Sequence, residues 1–251
     1  MKKRIDKIRE KVKAEGKVIV SELSQLYGVT EETIRRDLEK LEAEGILTRT
    51  FGGAILNLAP QNDQLHFYKR ASTNIEEKKI IGNLIVGLLE NKRTIVSDAS
   101  TTVMEAMKQL RSVSAYTVLS SSTEIFRELG DSKMKLISTG GIFNPSSLSL
   151  HGSQAKEVID KFYPDVALIS CKGLDETGLI TDSSEEEADT KHVMIRQAKK
   201  VFLLVDHTKF GKIGFVKFAD LSDIDYLITD REPEDSWKEL CQKYGVTLIW
   251  K

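Results

Sequence analysis

The feature that most limits how this chain can fold is a series of three short helical patterns near its amino terminus, each ended by a glycine. Apolar residues recur at helical spacing in each pattern, so each helix would bury one face. The first pattern covers Lys3–Glu15, and Ser21 and Thr30 are the predicted N-caps of the second and third helices. The glycines that end the patterns are Gly16, Gly28 and Gly45. Helices this short are not stable alone in water and must pack against one another.

A hairpin pattern follows the third helix in residues 46–56. Two short β-rich runs flank Gly52 and Gly53, and we expect these glycines to provide positive φ in a tight turn. Three helices followed by a hairpin are typical of a winged helix-turn-helix, so residues 1–57 are predicted to form a small DNA-binding domain. The segment 58–73 lacks sustained periodicity and is interpreted as a linker between domains.

The placement of charge supports a nucleic-acid partner better than the total charge does. The net charge of the chain is −1, which by itself favours no such partner. Residues 1–20, however, carry eight lysines and arginines against three acidic residues. This local excess of positive charge would attract phosphate groups. The alternative is an ordinary solvated helix with a basic face.

The third predicted helix presents two different faces. A rotation of about 100° per residue places Ile34, Leu38 and Leu41 in one buried stripe. Arg36 lies opposite, and we expect it to read a base, because a guanidinium can bond both O6 and N7 of guanine. Arg49, on the hairpin, is expected along the DNA backbone or in the minor groove. The alternative is that the helix arginines pair with neighbouring glutamates on a solvated surface. The full set predicted to contact DNA is Lys17, Thr30, Glu32, Thr33, Arg35, Arg36, Lys40 and Arg49.

The rest of the chain, residues 74–251, alternates short β-rich runs with helical patterns. This alternation predicts an α/β, Rossmann-like domain with a mainly parallel sheet. A chain of 251 residues, 40% of them hydrophobic, is long enough for one large domain and one small one. The predicted strands are 94–98, 116–120, 135–139, 166–170, 201–206 and 226–229. The predicted helices are 75–89, 101–110, 123–129, 154–162, 185–199 and 234–244.

Composition also restricts the compartment and the chemistry. No run of about 18 uncharged apolar residues occurs, and no apolar segment follows the basic start, so we expect a cytoplasmic protein without a membrane partner. Cys171 and Cys241 are too few for a disulfide framework or a ligand cluster and are interpreted as reduced structural thiols. We expect neither a metal nor a cofactor.

A candidate ligand site follows the first predicted strand of the sheet, which ends at Asp98. A phosphate there would meet the hydroxyls of Ser100, Thr101 and Thr102 and the free N–H groups that open a helix. Open α/β sheets bind ligands at this edge, where parallel strands end. The alternative is that these residues are ordinary helix caps. Loops at matching strand ends add Ser120, Ser121, Gly140, Gly141, Lys172, Asp175, Asp206 and Lys209 to the predicted site. For the glycine pair and Asp175 the alternative is a plain turn, and for Lys209 a surface lysine.

Both parts of the chain resemble the DeoR family of bacterial transcriptional regulators. Residues 20–54 match the pattern VSxLSxxxxVTxxTIRRDLxxLExxGxLxRxxGGA. Further motifs follow in the order of the family: a DxxTT loop, a TGG loop, a GxD turn, Glu187 with Lys191 four residues on, and DxxKFG before a last LITD strand. The chain departs from the family in DASTT, where members often have a central glycine, and in SSS, where many have TNS.

The resemblance implies a repressor of a carbohydrate-catabolism operon that binds double-stranded operator DNA and is controlled by a phosphorylated sugar. The sensor domain of the family is similar to sugar-phosphate isomerases such as ribose-5-phosphate isomerase. By this resemblance Ser100, Thr101, Thr102 and Lys209 would hold the phosphate. The residues that would face the sugar are Asp175, Glu187 and Lys191. Paired operator half-sites imply at least a dimer.

Two other functions compete with this one. A sugar-phosphate isomerase would use Asp175 or Glu187 as the base that moves a proton next to a carbonyl, but it leaves the winged helix without a role. A nucleotide-dependent regulator would need a G-x-G-x-x-G turn or a G-x-x-x-x-G-K-[ST] loop, and neither is found. We therefore expect a regulator without catalytic residues.

Overall fold

The chain divides into two units. The computed structural model describes residues 4–43, 46–56, 62–112 and 116–251. The first unit comprises Met1–Thr73 with Pro145–Ser147, and the second comprises Asn74–Asn144 with Leu148–Lys251.

The first unit is a winged helix. Its elements are α1 (Arg4–Glu15), β1 (Lys17–Ile19), α2 (Val20–Tyr27), α3 (Glu31–Ala43), β2 (Leu47–Thr50), β3 (Gly53–Leu56) and α4 (Asn62–Ser72). The three strands form an antiparallel sheet in the order β1-β3-β2. Their apolar side chains share one core with the first three helices, formed by Ile8, Val12, Val18, Val20, Leu23, Ile34, Leu38, Leu41, Leu47, Ala54 and Leu56. The predicted winged helix is confirmed.

Two of the predicted helix starts have different outcomes. Thr30 does cap α3, because its hydroxyl accepts a hydrogen bond from the Thr33 N–H at 3.3 Å. Ser21 was the wrong N-cap for α2: the helix begins at Val20, directly after β1, and Ile19 is its N-cap without a side-chain hydrogen bond. Burial of Val20 in the core, rather than a polar cap, fixes this start. The predicted stop at Gly45 lies outside the described residues.

The glycine pair of the hairpin serves a different purpose from the one expected. Neither Gly52 nor Gly53 has a positive φ. A Cβ on Gly53 would lie 1.9 Å from the carbonyl oxygen of Val18 in β1, whereas one on Gly52 would have no heavy atom within 4 Å. Gly53 is therefore needed because two backbones approach closely, and the expectation of positive φ was wrong.

Part of the segment interpreted as a linker is helical. Within residues 58–73, helix α4 covers Asn62–Ser72, packs against β2 and belongs to the first unit. Phe67 is its fully buried side chain. The helix has too few apolar residues for a visible helical period, so the expectation of irregular structure was wrong here. Residues 57–61 lie outside the part of the chain that is described.

The second unit is an α/β domain. Its helices are α5 (Ile75–Leu88), α6 (Thr101–Gln109), α7 (Thr123–Leu129), α8 (Ser153–Ile159), α9 (Glu185–Gln197) and α10 (Asp235–Tyr244). Its strands are β4 (Thr94–Ser97), β5 (Thr117–Ser120), β6 (Lys135–Ser138), β7 (Ile142–Asn144), β8 (Ser149–His151), β9 (Val166–Ile169), β10 (Gly173–Leu174), β11 (Leu179–Asp182), β12 (Val201–Leu204), β13 (Val216–Asp220), β14 (Tyr226–Ile228) and β15 (Thr247–Ile249). Short 3-10 helices cover His207–Lys209 and Leu221–Asp223.

Seven strands form one parallel sheet in the order β15-β14-β12-β9-β4-β5-β6. All six predicted strands are present in it, so the predicted fold class is confirmed. The sequence patterns did not reveal β15, the antiparallel hairpin β7-β8 or the small antiparallel sheet β10-β11-β13.

Alternate residues of the central strands enter two different cores. In β4, Ile95 packs on one face of the sheet and Val96 on the other, and in β12 Phe202 and Leu203 divide in the same way. Strands buried on both faces are typical of parallel sheets with helices on each side. The loops at the carboxyl ends of the strands therefore meet along one edge. Among the described residues, no helix is long and apolar enough to cross a membrane.

Candidate functional site

The exposed face of α3 carries the residues predicted to meet DNA. Ile34 and Leu38 are buried, while the side chains of Arg35 and Arg36 are 52% and 73% exposed. Lys40 is exposed on the same helix, as are Thr30 and Glu32 at its amino-terminal end, and Thr33 there is half-buried. Lys17 is exposed on β1. The division into a packed face and an exposed face that carries Arg35, Arg36 and Lys40 is the one that the sequence predicted.

Both arginines of α3 also pair with acidic neighbours, as the alternative interpretation required. An Arg35 nitrogen lies 2.8 Å from a Glu31 oxygen, and Arg36 Nε lies 3.6 Å from Glu32 Oε1. Exposed pairs one helical turn apart contribute about 0.3–0.5 kcal/mol. Since so little free energy holds these pairs, a phosphate or a guanine can displace the glutamates. The pairs and the DNA-contact prediction are compatible.

A hydrogen-bonded ion pair that the sequence did not reveal fixes the orientation of α3. Asp37, 7% exposed, accepts a hydrogen bond of 2.6 Å from Arg4 Nε in α1. This bond raises the pKa of Arg4 above its ordinary value, against a smaller opposing effect of burial. The partners are 33 residues apart in the chain, so helical spacing gave no signal for them.

Arg49 lies in β2 and its donors are directed at α3. Its Nε donates to Glu42 at 2.9 Å, a terminal nitrogen donates to Glu39 at 2.6 Å, and its backbone N–H donates to Glu42 at 2.8 Å. The guanidinium predicted to lie on DNA is thus held within the first unit itself.

In the second unit, the loop after β4 has the predicted helix-opening geometry. Ser100 is the N-cap of α6, and its hydroxyl accepts from the Val103 N–H. Thr101 and Thr102 are buried in the first turn, where backbone N–H groups have no acceptor within the helix. Ser100 therefore serves as the ordinary cap that was the alternative, while the first turn keeps donors for an anion.

The loops after β5 and β6 come close to this turn through the pairing of β4, β5 and β6. The hydroxyls of Ser97 and Ser120 are 2.9 Å apart, which joins β4 to β5. Ser121 is buried, and its carbonyl accepts from the Leu150 N–H at 2.7 Å. After β6, Gly140 and Gly141 both have positive φ. A hydrogen bond thus joins the loop after β5 to the β7-β8 hairpin, and the loop after β6 leads directly into that hairpin.

A buried charge cluster lies under this edge of the sheet. Lys191 in α9 is 5% exposed, and its ammonium donates to the Ser170 carbonyl at 2.9 Å and to Asp182, and lies 3.2 Å from Asp98 Oδ2. The other oxygen of Asp98 accepts from the Ser100 N–H at 2.9 Å, and Asp98 Oδ2 also accepts from the Ser170 N–H at 2.8 Å. The ammonium therefore has two hydrogen-bond acceptors, Ser170 and Asp182, and a second carboxylate, Asp98, within ion-pair distance.

The electrostatics keep this cluster ionised. Burial disfavours the charge on Lys191, but the carboxylates of Asp182, Asp98 and Glu187 outweigh it and raise its pKa. Burial likewise opposes ionisation of Asp182, yet the attraction and hydrogen bond of Lys191 lower its pKa. Lys191 and Asp98 thus join α9 to the loops after β4 and β9, and their predicted contact with a sugar would have to compete with these bonds.

Asp175 lies in the turn between β10 and β11. Its Oδ1 accepts from the Thr177 N–H and hydroxyl and from the Leu179 N–H, at 2.8 to 2.9 Å. Burial opposes the charge, but the hydrogen bonds from Thr177 and Leu179 outweigh it and lower the pKa of Asp175. These bonds match the turn alternative and all use Oδ1, so the contact of Asp175 with a sugar stays a prediction.

The remaining predicted residues are dispersed around the edge. Asp206 is buried after β12, and its carboxylate accepts from the Thr208 N–H at 3.0 Å and from the Asn74 side chain at 3.3 Å. Lys209, half-buried, follows in the 3-10 helix, and Lys172 is exposed after β9. Glu187 is half-buried in the first turn of α9.

His151 is buried at the end of β8. It is 9% exposed, and its Nε2 has no hydrogen-bond partner among the described residues. The adjacent Leu150 bonds to Ser121, and a Cβ on Gly141 would lie 2.3 Å from the carbonyl oxygen of His151. A buried polar atom without a partner costs about 1–3 kcal/mol. His151 therefore lies between two predicted ligand loops and was missed because β8 was not recognised.

Comparisons with known proteins cover nearly the whole chain. A family model described as the DeoR-like helix-turn-helix domain matches residues 4–59, and one described as the DeoR C terminal sensor domain matches residues 73–231. The HTH-type transcriptional repressor GlcR of Bacillus subtilis (strain 168) is 36% identical over 247 residues, which is 98% of this chain and 95% of that protein. The L-fucose operon activator of Haemophilus influenzae (strain Rd) is 30% identical over 249 residues, covering 99% and 100%. Ribose 5-phosphate isomerase A of Methanocaldococcus jannaschii aligns at 14% identity over 55% of each chain with a TM-score of 0.42, a likeness too weak to support an inference.

A winged helix with arginines exposed on its third helix, joined in one chain to an α/β domain with polar loops at one sheet edge, defines a DNA-binding transcriptional regulator with a sensor domain. Both family models and the full-length relatives agree with this class. The chain belongs to the DeoR family of transcriptional regulators. The predicted family is confirmed, and since both of these full-length relatives are regulators, the protein is a regulator rather than the isomerase considered as an alternative.

Proposed function

We propose that this protein is a repressor of a carbohydrate-catabolism operon, that it acts in the cytoplasm as at least a homodimer, and that a phosphorylated sugar controls its binding to double-stranded operator DNA. The observation that carries the DNA half is the face of α3 on which the Arg36 side chain is 73% exposed. The names of the relatives support the regulatory role and its link to sugar use: one is named a transcriptional repressor and another an L-fucose operon activator.

On DNA, the amino-terminal half of α3 is the segment that enters the major groove. Arg36 reads a base by a two-pronged hydrogen bond, while Arg35, Lys40 and Lys17 bind phosphates and set the register. The residues at the start of α3 that would lie closest to the groove are Thr30, Glu32 and Thr33. Paired half-sites on operator DNA require a second copy of this helix.

The sugar phosphate binds at the carboxyl edge of the parallel sheet. The first turn of α6 provides N–H donors and the positive end of a helix dipole for the phosphate, and the hydroxyls of Thr101 and Thr102 are beside them. Two observations support this location. The glycine pair after β6 leaves the backbone without side chains there, and the main chain of His151, whose Nε2 is buried without a hydrogen-bond partner among the described residues, lies beside Gly141. Lys209 adds positive charge from the loop after β12. Control of DNA binding then requires that the ligand bind one arrangement of the protein better than the other.

The DNA half is tested by fluorescence anisotropy with a labelled duplex from upstream of the protein's own operon. We expect tight binding at moderate salt, a selective loss at one base position in Arg36→Ala, and a uniform loss with a shallower salt dependence in Lys40→Ala. Failure of the parent protein to bind the duplex, with and without sugar phosphates, would overturn the proposal. Parental affinity in both variants would overturn the assigned reading face.

The ligand half is tested by thermal shift of the full chain with pentose and hexose phosphates, using the unphosphorylated sugars and inorganic phosphate as controls. A ligand at 100 times its Kd raises the unfolding free energy by about 2.7 kcal/mol, so a phosphorylated sugar should raise the Tm and its free sugar should not. Equal shifts from the free sugars, or none from any phosphate, would contradict the proposal. Light scattering tests the oligomer, and a monomer at working concentration would refute that part alone.

A further inference from the structure

We propose that Arg49 is a positioning residue for DNA recognition: it fixes the wing, defined here as residues 47–56, to the carboxyl-terminal half of α3, and does not itself contact DNA. The inference rests on three hydrogen bonds from one residue. The guanidinium donates to Glu42 Oε2 at 2.9 Å and to Glu39 Oε1 at 2.6 Å, and the backbone N–H of Arg49 donates to Glu42 Oε1 at 2.8 Å.

The backbone bond makes this more than a surface ion pair. Glu39 and Glu42 are three residues apart and share one face of α3, so a planar guanidinium can bridge them. The N–H bond to Glu42 fixes the main chain of β2 as well as its side chain. Because β2 pairs with β3 through Arg49 and Ala54, these hydrogen bonds act on the whole wing, in addition to the core that Leu47, Ala54 and Leu56 share with α3.

Charge gives a second reason against a direct DNA contact. The side chains of Glu39 and Glu42 are 54% and 36% exposed, and that of Arg49 is 38% exposed. If the guanidinium left them for a phosphate, two carboxylates would remain on the side of α3 that faces the wing and would repel the DNA backbone.

The two roles predict different salt dependences. We expect Arg49→Ala to weaken binding to the upstream duplex by about 5–30-fold, corresponding to about 1–2 kcal/mol, with the slope of log K against log salt unchanged. A residue that neutralises a phosphate instead lowers that slope by about 1, as expected for Lys40→Ala, which is the matched control. Arg49→Lys should bind as weakly as Arg49→Ala, because an ammonium cannot bridge two carboxylates in the manner of a guanidinium.

A pair of acidic variants tests the same proposal with opposite signs. Glu42→Gln removes a negative charge near DNA but also loosens the wing, so we expect weaker operator binding. Glu31→Gln removes the same charge from the same helix, where its partner is Arg35 rather than the wing, so we expect binding equal to or tighter than that of the parent.

Circular dichroism melts of all variants distinguish loss of the fold from loss of position, and Arg49→Lys keeps the charge if Arg49→Ala does not fold. A shallower salt slope in Arg49→Ala, parental affinity in Arg49→Lys, or tighter binding in Glu42→Gln would overturn the proposal.

Discussion

Replacing Lys191 by methionine should strongly destabilise the sensor unit. The substitution keeps the length of the side chain but removes an ammonium that has two carboxylates within ion-pair distance in a site that is 5% exposed. Removing one partner of a buried ion pair costs about 3–5 kcal/mol, because the other charge is left without compensation. With a urea dependence of about 2 kcal/mol per molar, the unfolding midpoint falls by about 1.5–2.5 M.

The pH dependence of this loss follows from the pKa of Asp182. Its pKa is lowered in the folded parent, so it contributes stability that is present above its unfolded value and is lost as the pH falls through the folded value. Without the ammonium, burial raises the pKa of this carboxyl, which reverses the sign: stability is then lost as the pH rises. The difference between parent and variant is therefore largest near neutral pH, and it shrinks as the pH falls from the raised pKa of Asp182 in the variant to its lowered pKa in the parent.

Tryptophan fluorescence in urea provides the assay, because both tryptophans, Trp237 and Trp250, lie in the second unit. The matched control is Lys200→Met, which removes an exposed partner of Asp225 and should leave the midpoint near that of the parent. If Lys191→Met and Lys200→Met unfolded at the same urea concentration at pH 7, the reasoning about the buried cluster would be wrong.

Three further predictions concern the core and the DNA-binding unit. Gly53→Ala should destabilise the first unit by about 1–3 kcal/mol through the clash with β1, and Gly52→Ala should not; equal melting temperatures by circular dichroism would contradict this. Arg4→Met leaves a buried carboxylate in α3 without its partner, so the first unit should lose about 1–3 kcal/mol of stability; a melting temperature by circular dichroism equal to that of the parent would refute the role of this pair. Burial raises the pKa of Cys171 to about 12 and of Cys241 to about 11. Both thiols should therefore resist iodoacetamide at pH 8 in the folded protein and react in urea. Rapid labelling of the folded protein would contradict this prediction.

Local patterns were sufficient for the elements with strong periodicity. The stripe of Ile34, Leu38 and Leu41 predicted α3 and its buried face, and uninterrupted apolar runs such as Val201–Leu204 predicted the parallel strands. Elements with few apolar residues were not predicted. Helix α4 has one fully buried side chain that is described, Phe67, and the two residues of β10 are too short a run for any period to be visible.

The sequence predicted the position of loops that follow parallel strands. It did not predict contacts between side chains that are distant in the sequence. The loops after β4, β5 and β6 were placed correctly because parallel strands end at the same edge. The acceptors of Lys191 could not be found from sequence, since Asp98 is 93 residues away and becomes a neighbour only through the sheet. The same holds for Arg49. The sequence shows that Arg49 lies seven residues after Glu42, but it does not show that three donors of Arg49 bond to the carboxylates of Glu42 and Glu39.

The order of strands in the parallel sheet bears on how the protein leaves the ribosome. β9 pairs with β4 on one side and β12 on the other, so the centre of the sheet cannot close before residue 204 has been synthesised, whereas the helices and strands of the winged helix are complete by residue 72. At about 5–20 residues per second, translation separates these two points by roughly 7–26 s. A prematurely terminated chain would therefore carry the complete sequence of α3 without the sheet edge that is proposed to bind the effector.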